Sequence, residues 1–176
     1  MIDAAGVRSA VMSAFASVEA PPSWCLSCSL EGEEPDLVRR AFRSAPDWRS
    51  LSPAFLDAAP DGFASALSFF SDEAFRFYLP AYLLAALGGQ LKQVDVVYHL
   101  VHGLDSRSRE ALLNPARYGA RTWCDARCYR FSVFTQPQCA AIVAFLRFIQ
   151  ASPDCFPGKR TTIQEALDYY WLRRAG

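Results

Sequence analysis

A chain of 176 residues with 52% hydrophobic and 20% charged side chains has the composition of a folded globular protein, which excludes a largely disordered chain. That length suits one domain, and about 70% of the unfolded surface can be buried, so no disulfide or metal staple is required to hold a core. The formal net charge of zero argues against nucleic acid as a partner, yet the charge is uneven: residues 1–100 hold seven basic and twelve acidic side chains, residues 101–176 eleven and six.

The opening MIDAAGVRSAVMSAF has no basic start and no long apolar run, so no signal peptide is predicted. A cytoplasmic location with mostly reduced cysteines is expected. Val7, Val11, Phe15 and Val18 mark one face of a helix within 2–18. Residues 19–36, with Pro21-Pro22 and the acidic run EGEEPD, read as a loop, and a helix is expected over 37–43. Ser52-Pro53 has the form of an N-cap followed by proline at the first helical position, opening a short helix through Ala58. Residues 62–70 supply another apolar turn or two.

The stretch EAFRFYLPAYLLAALGG, residues 73–89, is the most apolar of the chain. A helix is predicted over 74–87, with Ser71 or Asp72 as its N-cap. Phe75, Tyr78, Leu79, Tyr82 and Ala86 line one face, and Phe77, Ala81, Leu84 and Ala85 fill most of the rest. A helix apolar all round is either buried or in a membrane. This one falls short of the roughly 20 apolar residues that span a bilayer, and it contains Arg76, so it is expected to be a central core helix. Pro80 is expected to kink or restart it, and Gly88-Gly89 to end it.

Residues 93–102 continue as a helix, and Asp105 is expected to cap another reaching Leu113. Residues 114–134 read as irregular, with a short extended piece at 129–134. Thr135 and Gln138 have the spacing of a capping box, opening a helix that carries Ile142, Phe145, Leu146 and Ile149. Thr162 and Glu165 form a second such pattern before a final helix through Leu172. The sum is a mainly α, single compact domain over 1–176, with a kinked central helix near 73–88 and at most one or two short strands.

Three segments carry a family resemblance: DWRSLSPAFLD at 47–57, ALSFFSDEAFRFYLPAYLLAAL at 66–87 and FSVFTQPQCAAIVAFL at 131–146. They resemble a family of small bacterial proteins of unknown function with an F-x-F-Y-L-P core and a later F-T-x-x-Q-x-x-A-I-x-x-F-L helix. The resemblance spans roughly residues 10–150. It implies one compact bacterial domain and carries over no catalytic residue. The cysteine-bearing stretches at 25–28 and 124–128 lie outside the familiar core.

Chemistry-bearing groups are few. Cys25, Cys28, Cys124 and Cys128 form two close pairs that together could supply the four soft ligands of a structural zinc, although the second pair is one residue wider than the usual knuckle. Free thiols acting as small hydrophobes are the preferred reading, so no metal is assigned. Asp95, His99 and His102 fall within an arc of about 60° on one helical face, a geometry that suits a metal or an Asp–His base. No nucleophile elbow, phosphate-binding loop or dinucleotide fingerprint occurs, and no catalytic residue or cofactor is assigned. The stretch 114–131 holds Arg117, Arg121, Arg127 and Arg130 interleaved with Tyr118, Trp123 and Tyr129. Arginine and aromatic side chains give a binding surface large contact area and forked donors. Arg117, Tyr118, Arg121, Trp123, Arg127 and Arg130 are therefore the candidate contacts for a protein partner. The expected function is a non-enzymatic interaction domain, in its most specific form an immunity- or antitoxin-type inhibitor. The alternative is an enzyme or metal protein using the Asp95, His99, His102 face or the cysteine quartet.

Overall fold

The computed structural model describes residues 3–58 and 66–176. Helices follow one another along the chain: α1 Ala4–Ala14, α2 Glu33–Phe42, α3 Pro53–Ala58, α4 Ala66–Phe69, α5 Asp72–Leu87, α6 Val96–Val101, α7 Pro115–Tyr118, α8 Trp123–Phe131, α9 Gln136–Ala151, α10 Pro157–Ala166 and α11 Leu172–Ala175. The mainly α class is thus the observed one. Among the described residues the only β pairing is two isolated bridges, Ser27 with Phe70 and Leu112 with Thr122. Among them, too, no helix is long and apolar enough to cross a membrane. The expected apolar turn beginning at Gly62 lies in part outside the described residues, and α4 covers its end. The chain divides into two compact units, residues 11–96 and residues 1–10 with 97–176.

In the 11–96 unit, α5 supplies the central side chains. Ser71 is its N-cap, the hydroxyl accepting from the Ala74 N–H at 3.1 Å. The helix does not restart at Pro80. Helical backbone runs on to Leu87, the proline removing one backbone donor from the ladder, and Gly89 adopts φ 62° just past the end. Phe42, Phe70 and Tyr78 pack ring to ring at centroid separations of 4.8 to 5.1 Å. The Tyr78 hydroxyl donates to the Ala45 carbonyl at 2.7 Å. Tyr82 is fully buried, and its hydroxyl has no hydrogen-bond partner among the described residues.

The acidic run expected as a loop is instead the first turn of α2. Glu33, Glu34 and Asp36 sit where the helix dipole favours negative charge, and Gly32 turns the chain in at φ 103°. Asp36 ion-pairs with Arg39 and Arg40, and Arg39 reaches back to the Ser27 hydroxyl and the Ser29 carbonyl. Ser52 and Pro53 open α3 as expected, the Ser52 hydroxyl accepting from the Phe55 N–H. From α3, the Asp57 carboxylate accepts the backbone N–H groups of Lys92, Gln93 and Val94 at 3.0, 2.9 and 3.1 Å, pinning that turn.

In the other unit, α9 pairs antiparallel with the helix that follows it. Gln136 reaches the Ala175 carbonyl at one end, and Gln150 the Arg160 carbonyl at the other. The Thr135–Gln138 capping box opens α9 as expected. The second expected box does not form. Pro157 starts α10 well before Thr162, which sits inside the helix and donates to the Lys159 carbonyl, while Glu165 accepts from the Ser106 N–H and hydroxyl. Between α10 and α11 the helix passes through a π turn, Leu167–Trp171, that carries Tyr169, Tyr170 and Trp171. Trp171 is buried against Phe131, at 4.8 Å, and donates its indole N–H to the Leu100 carbonyl at 2.9 Å.

Candidate functional site

The stretch 114–131, expected as irregular, is a turn followed by a helix. Asp105 caps a single turn, accepting from the Arg107 and Ser108 N–H groups, and the chain does not continue as a helix to Leu113. Instead Ala111 and Leu113 pair with backbone on the far side of a loop: Leu113 N–H donates to Arg121 at 2.8 Å, and Trp123 N–H to Ala111 at 2.9 Å. Asn114 at φ 42° and Gly119 at φ 62° bound the short α7 in between. Thr122 then caps α8. Its hydroxyl accepts the Asp125 N–H, and the Asp125 carboxylate reaches back to the Thr122 N–H. That bonding holds the Asp125 carboxyl below the usual carboxylate range. The expected extended piece at 129–134 is therefore overturned: its first residues complete α8 and the rest form a turn.

The loop and helix present two kinds of arginine. Arg117 lies over the Tyr118 ring at 5.4 Å and Arg121 over Tyr129 at 5.8 Å, all four exposed and Tyr129 to 68%. Trp123, Arg127 and Arg130 follow one another at helical spacing on α8 and turn inward, Trp123 and Arg130 half-buried and Arg127 buried. Arg127 donates from Nε to the His102 carbonyl at 3.2 Å, with its Cζ 5.6 Å from the centre of the Trp123 ring. Burial and the nearby Arg130 lower its pKa to about 10, which leaves it charged at neutral pH. The His102 ring lies edge-on to Trp123 at 4.7 Å and stacks on Tyr98 at 4.8 Å. Burial and the Arg127 charge push its pKa below the ordinary histidine value.

Asp95, His99 and His102 fall at and around the short helix α6. Helix α6 begins at Val96, so Asp95 precedes it and is exposed, His99 is buried within it, and His102 lies past its end. The two cysteine pairs behave separately. Cys25 sits 3.7 Å from the Ser71 hydroxyl and 3.5 Å from the Glu73 carboxylate, and burial raises its pKa, while Cys28 is exposed. Cys124 and Cys128 face each other one turn apart on α8, sulfur to sulfur 3.7 Å, with the Tyr169 hydroxyl 3.3 Å from Cys124. Burial, followed by the contact with Cys124, pushes the Cys128 thiol up to about 12, the opposite of what a reactive thiolate or metal ligand needs. Among the described residues no three His, Cys, Asp or Glu side chains gather as a metal site would require.

Sequence reasoning missed a cleft of about 360 Å³ lined by Ser106, Arg109, Glu165, Asp168, Tyr169 and Arg173. Arg109 covers the Tyr169 ring at 4.4 Å and Arg173 approaches it at 5.8 Å. The π turn is what brings Tyr169 here, and nothing local in the sequence announces a π turn.

The amino-acid sequence matches one family model over nearly its whole length. The match is to a family of unknown function (DUF6714), over residues 7–175, and the chain is a member of it. No curated protein and no solved structure shows a significant match.

Proposed function

We propose that the chain is a non-enzymatic bacterial cytoplasmic domain that binds a protein partner, in its most specific form an inhibitor of the immunity or antitoxin kind that occupies the partner's working surface. The observation that carries this reading is the pair of exposed arginine–aromatic contacts, Arg117 with Tyr118 on α7 and Arg121, just before α8, with Tyr129 on it. Each places a large flat side chain and a forked donor side by side, the combination that dominates binding energy at protein interfaces. The unit that holds them, residues 1–10 and 97–176, has twelve basic and seven acidic side chains, so an acidic partner surface complements it. The enzyme or metal alternative has less support, because among the described residues no three His, Cys, Asp or Glu side chains gather as a metal site would require, and the cysteine thiols for which a shift is resolved are held protonated.

A photoreactive phenylalanine analogue placed at Tyr129 in the native host, with the same group at the exposed Phe156 as control, tests the reading. A discrete cross-linked protein is expected at 129 and not at 156, and adding Arg121→Glu should abolish it. Equal cross-linking at both positions, or none at 129, would defeat the reading.

A further inference from the structure

We infer that the cleft between the turn at 106–109 and the π turn receives an acidic side chain of the protein partner, its carboxylate held by Arg109 and Arg173 beside Tyr169; the inference rests on the interaction reading above. Four charged side chains line this cleft of about 360 Å³: Arg109, Arg173, Glu165 and Asp168. Opposite charges so gathered ordinarily pair, yet neither arginine pairs with either acid. Both acids are turned to other donors. Glu165 accepts from the Ser106 N–H and hydroxyl, each at 2.9 Å, and Asp168 accepts from the Gln164 amide at 2.9 Å. Among the described residues the Arg109 and Arg173 side chains form no hydrogen bond and no ion pair; they meet the Tyr169 ring instead, 4.4 and 5.8 Å from its centre. Their forked donors are therefore left for a guest, at a space of ligand size.

Both walls of the cleft are fixed by the fold. The Arg109 N–H donates to the Asp105 carbonyl at 2.9 Å, and the Arg109 carbonyl accepts from the Cys124 N–H at 3.3 Å, which ties this half-buried residue to α8. On the other side the π turn is anchored at two points. Trp171 is buried and bonded to the Leu100 carbonyl, and the Tyr169 hydroxyl lies 3.3 Å from the Cys124 sulfur. Single π turns within helices are rare and frequently stand at functional sites. Here the turn carries Tyr169 into the cleft, where its ring receives both arginines. A guanidinium over a ring face keeps its in-plane N–H groups free for a carboxylate, and a site held ready in this way spends little ordering on its guest.

The chemistry selects one carboxylate on a protein side chain. A guanidinium fork matches a carboxylate through two parallel hydrogen bonds. A phosphate would bring a second negative charge beside Glu165 and Asp168, which oppose it. The two acids also offset the arginines at a distance, so the cleft discriminates by hydrogen-bond geometry, while the excess of twelve basic over seven acidic side chains in this unit draws an acidic surface toward it. Ser106, Asp168 and Arg173 are exposed, so the cleft opens to solvent. It also adjoins the proposed docking elements, since Tyr169 touches Cys124, one turn after Arg121 on the helix that carries Tyr129. A glutamate carboxylate, clear of its own backbone by two methylenes, reaches into such a cleft more readily than a chain-terminal carboxylate does.

The test follows the Nε–H resonances of Arg109 and Arg173, identified by their loss in Arg109→Gln and Arg173→Gln, while the full chain is titrated at matched ionic strength. The probes are an acetylated and amidated glycine hexapeptide with one central glutamate, the same peptide with glutamine, that glutamine peptide with a free carboxyl terminus, and inorganic phosphate. The glutamate peptide is expected to shift both resonances to saturation, and the amidated glutamine peptide to leave them in place. The free terminus and phosphate should act only at higher concentration. Arg109→Lys keeps the charge and loses the fork, and should weaken glutamate-peptide binding about tenfold, read at Arg173. Arg173→Lys, at an exposed position where no packing is disturbed, should weaken it about threefold, read at Arg109. Resonances silent to the glutamate peptide, a response to phosphate or to the free terminus at lower concentration than to glutamate, or unaltered binding in both lysine variants would each overturn the site. Cross-linking at Tyr129 with a silent cleft would leave docking standing and remove the site. A glutamate response with no cross-link at Tyr129 would overturn the protein partner assigned to it.

Discussion

Tyr78 and Tyr82 lie one turn apart on α5, both buried, yet their hydroxyls have opposite fates. Tyr78 donates to the Ala45 carbonyl at 2.7 Å, whereas Tyr82 finds no partner among the described residues. A satisfied buried hydrogen bond contributes about 1 kcal/mol net, and an unsatisfied buried hydroxyl costs rather than contributes. Tyr78→Phe is therefore expected to destabilise by about 1 kcal/mol, and Tyr82→Phe to leave stability unchanged or raise it. Urea melts of the two variants decide, and equal losses would show that Tyr82 has a partner. Burial also raises the Tyr78 pKa to about 12. Its stabilising share is complete below the unfolded tyrosine value near 10 and is lost as pH rises toward the folded one, so the penalty of Tyr78→Phe should shrink in alkali. That both rings would be buried was legible from the apolar stretch; which hydroxyl would be bonded was not, because the acceptor lies 33 residues away in sequence. The same limit applies to Arg127, whose environment comes from His102 and Trp123 on different elements.

At the scale of elements, legibility followed the strength of local signals. Helices α3, α5 and α9 announce themselves through hydrophobic patterning and a Ser or Thr cap, and α1 through the spacing of Val7, Val11 and Phe15. Helix α8 was hidden because its capping box uses Asp125 in place of Glu or Gln, and because its arginines interrupt any apolar stripe. Only the later part of helix α2 is legible, because an acidic run with proline resembles a loop, although proline and acids suit a helix's first turn. Asp57 shows how one side chain joins elements. Partial burial would raise its pKa, but the N–H groups of Gln93, Val94 and Lys92 outweigh that and hold it below the ordinary value. A carboxylate with a lowered folded pKa stabilises above the unfolded value of about 3.9, and that share is lost as pH falls through the folded one. Asp57→Asn should accordingly lower the melting temperature at pH 7 and by progressively less toward pH 2. A deficit of equal size at both pH values would mean that the three hydrogen bonds depend on shape and not on charge.

Across the whole molecule, a net charge of zero conceals two opposed halves. The unit of residues 1–10 and 97–176 carries twelve basic and seven acidic side chains, and the unit of residues 11–96 six and eleven, giving +5 and −5. The uneven charge along the sequence is therefore kept by the structural division: a split at residue 100 and the two units both give −5 and +5, since residues 1–10, which belong with 97–176, hold one acidic and one basic side chain. At the isoelectric point, near pH 6.7, a molecule with evenly mixed charge has little long-range electrostatic interaction with its copies at any salt concentration. One whose units keep opposite net charges attracts copies of itself wherever the field reaches far enough. The screening length is about 30 Å at 0.01 M salt and about 10 Å at 0.1 M, so the attraction should be felt at the lower concentration and fade at the higher. The second virial coefficient, measured by static light scattering at pH 6.7, is expected to be negative at 0.01 M salt and to rise steadily to 0.1 M and beyond. Arg117→Glu with Arg121→Glu, both at exposed positions, take the positive unit from +5 to +1 and should remove that attraction at the variant's own isoelectric point, while costing the melting temperature no more than the loss of two exposed ring contacts. A coefficient independent of salt in the parent protein would mean that the acidic and basic groups of each unit already neutralise one another locally. The +5 unit would then offer no electrostatic attraction to an acidic partner, and its surface would have to bind through Tyr118, Trp123 and Tyr129 alone.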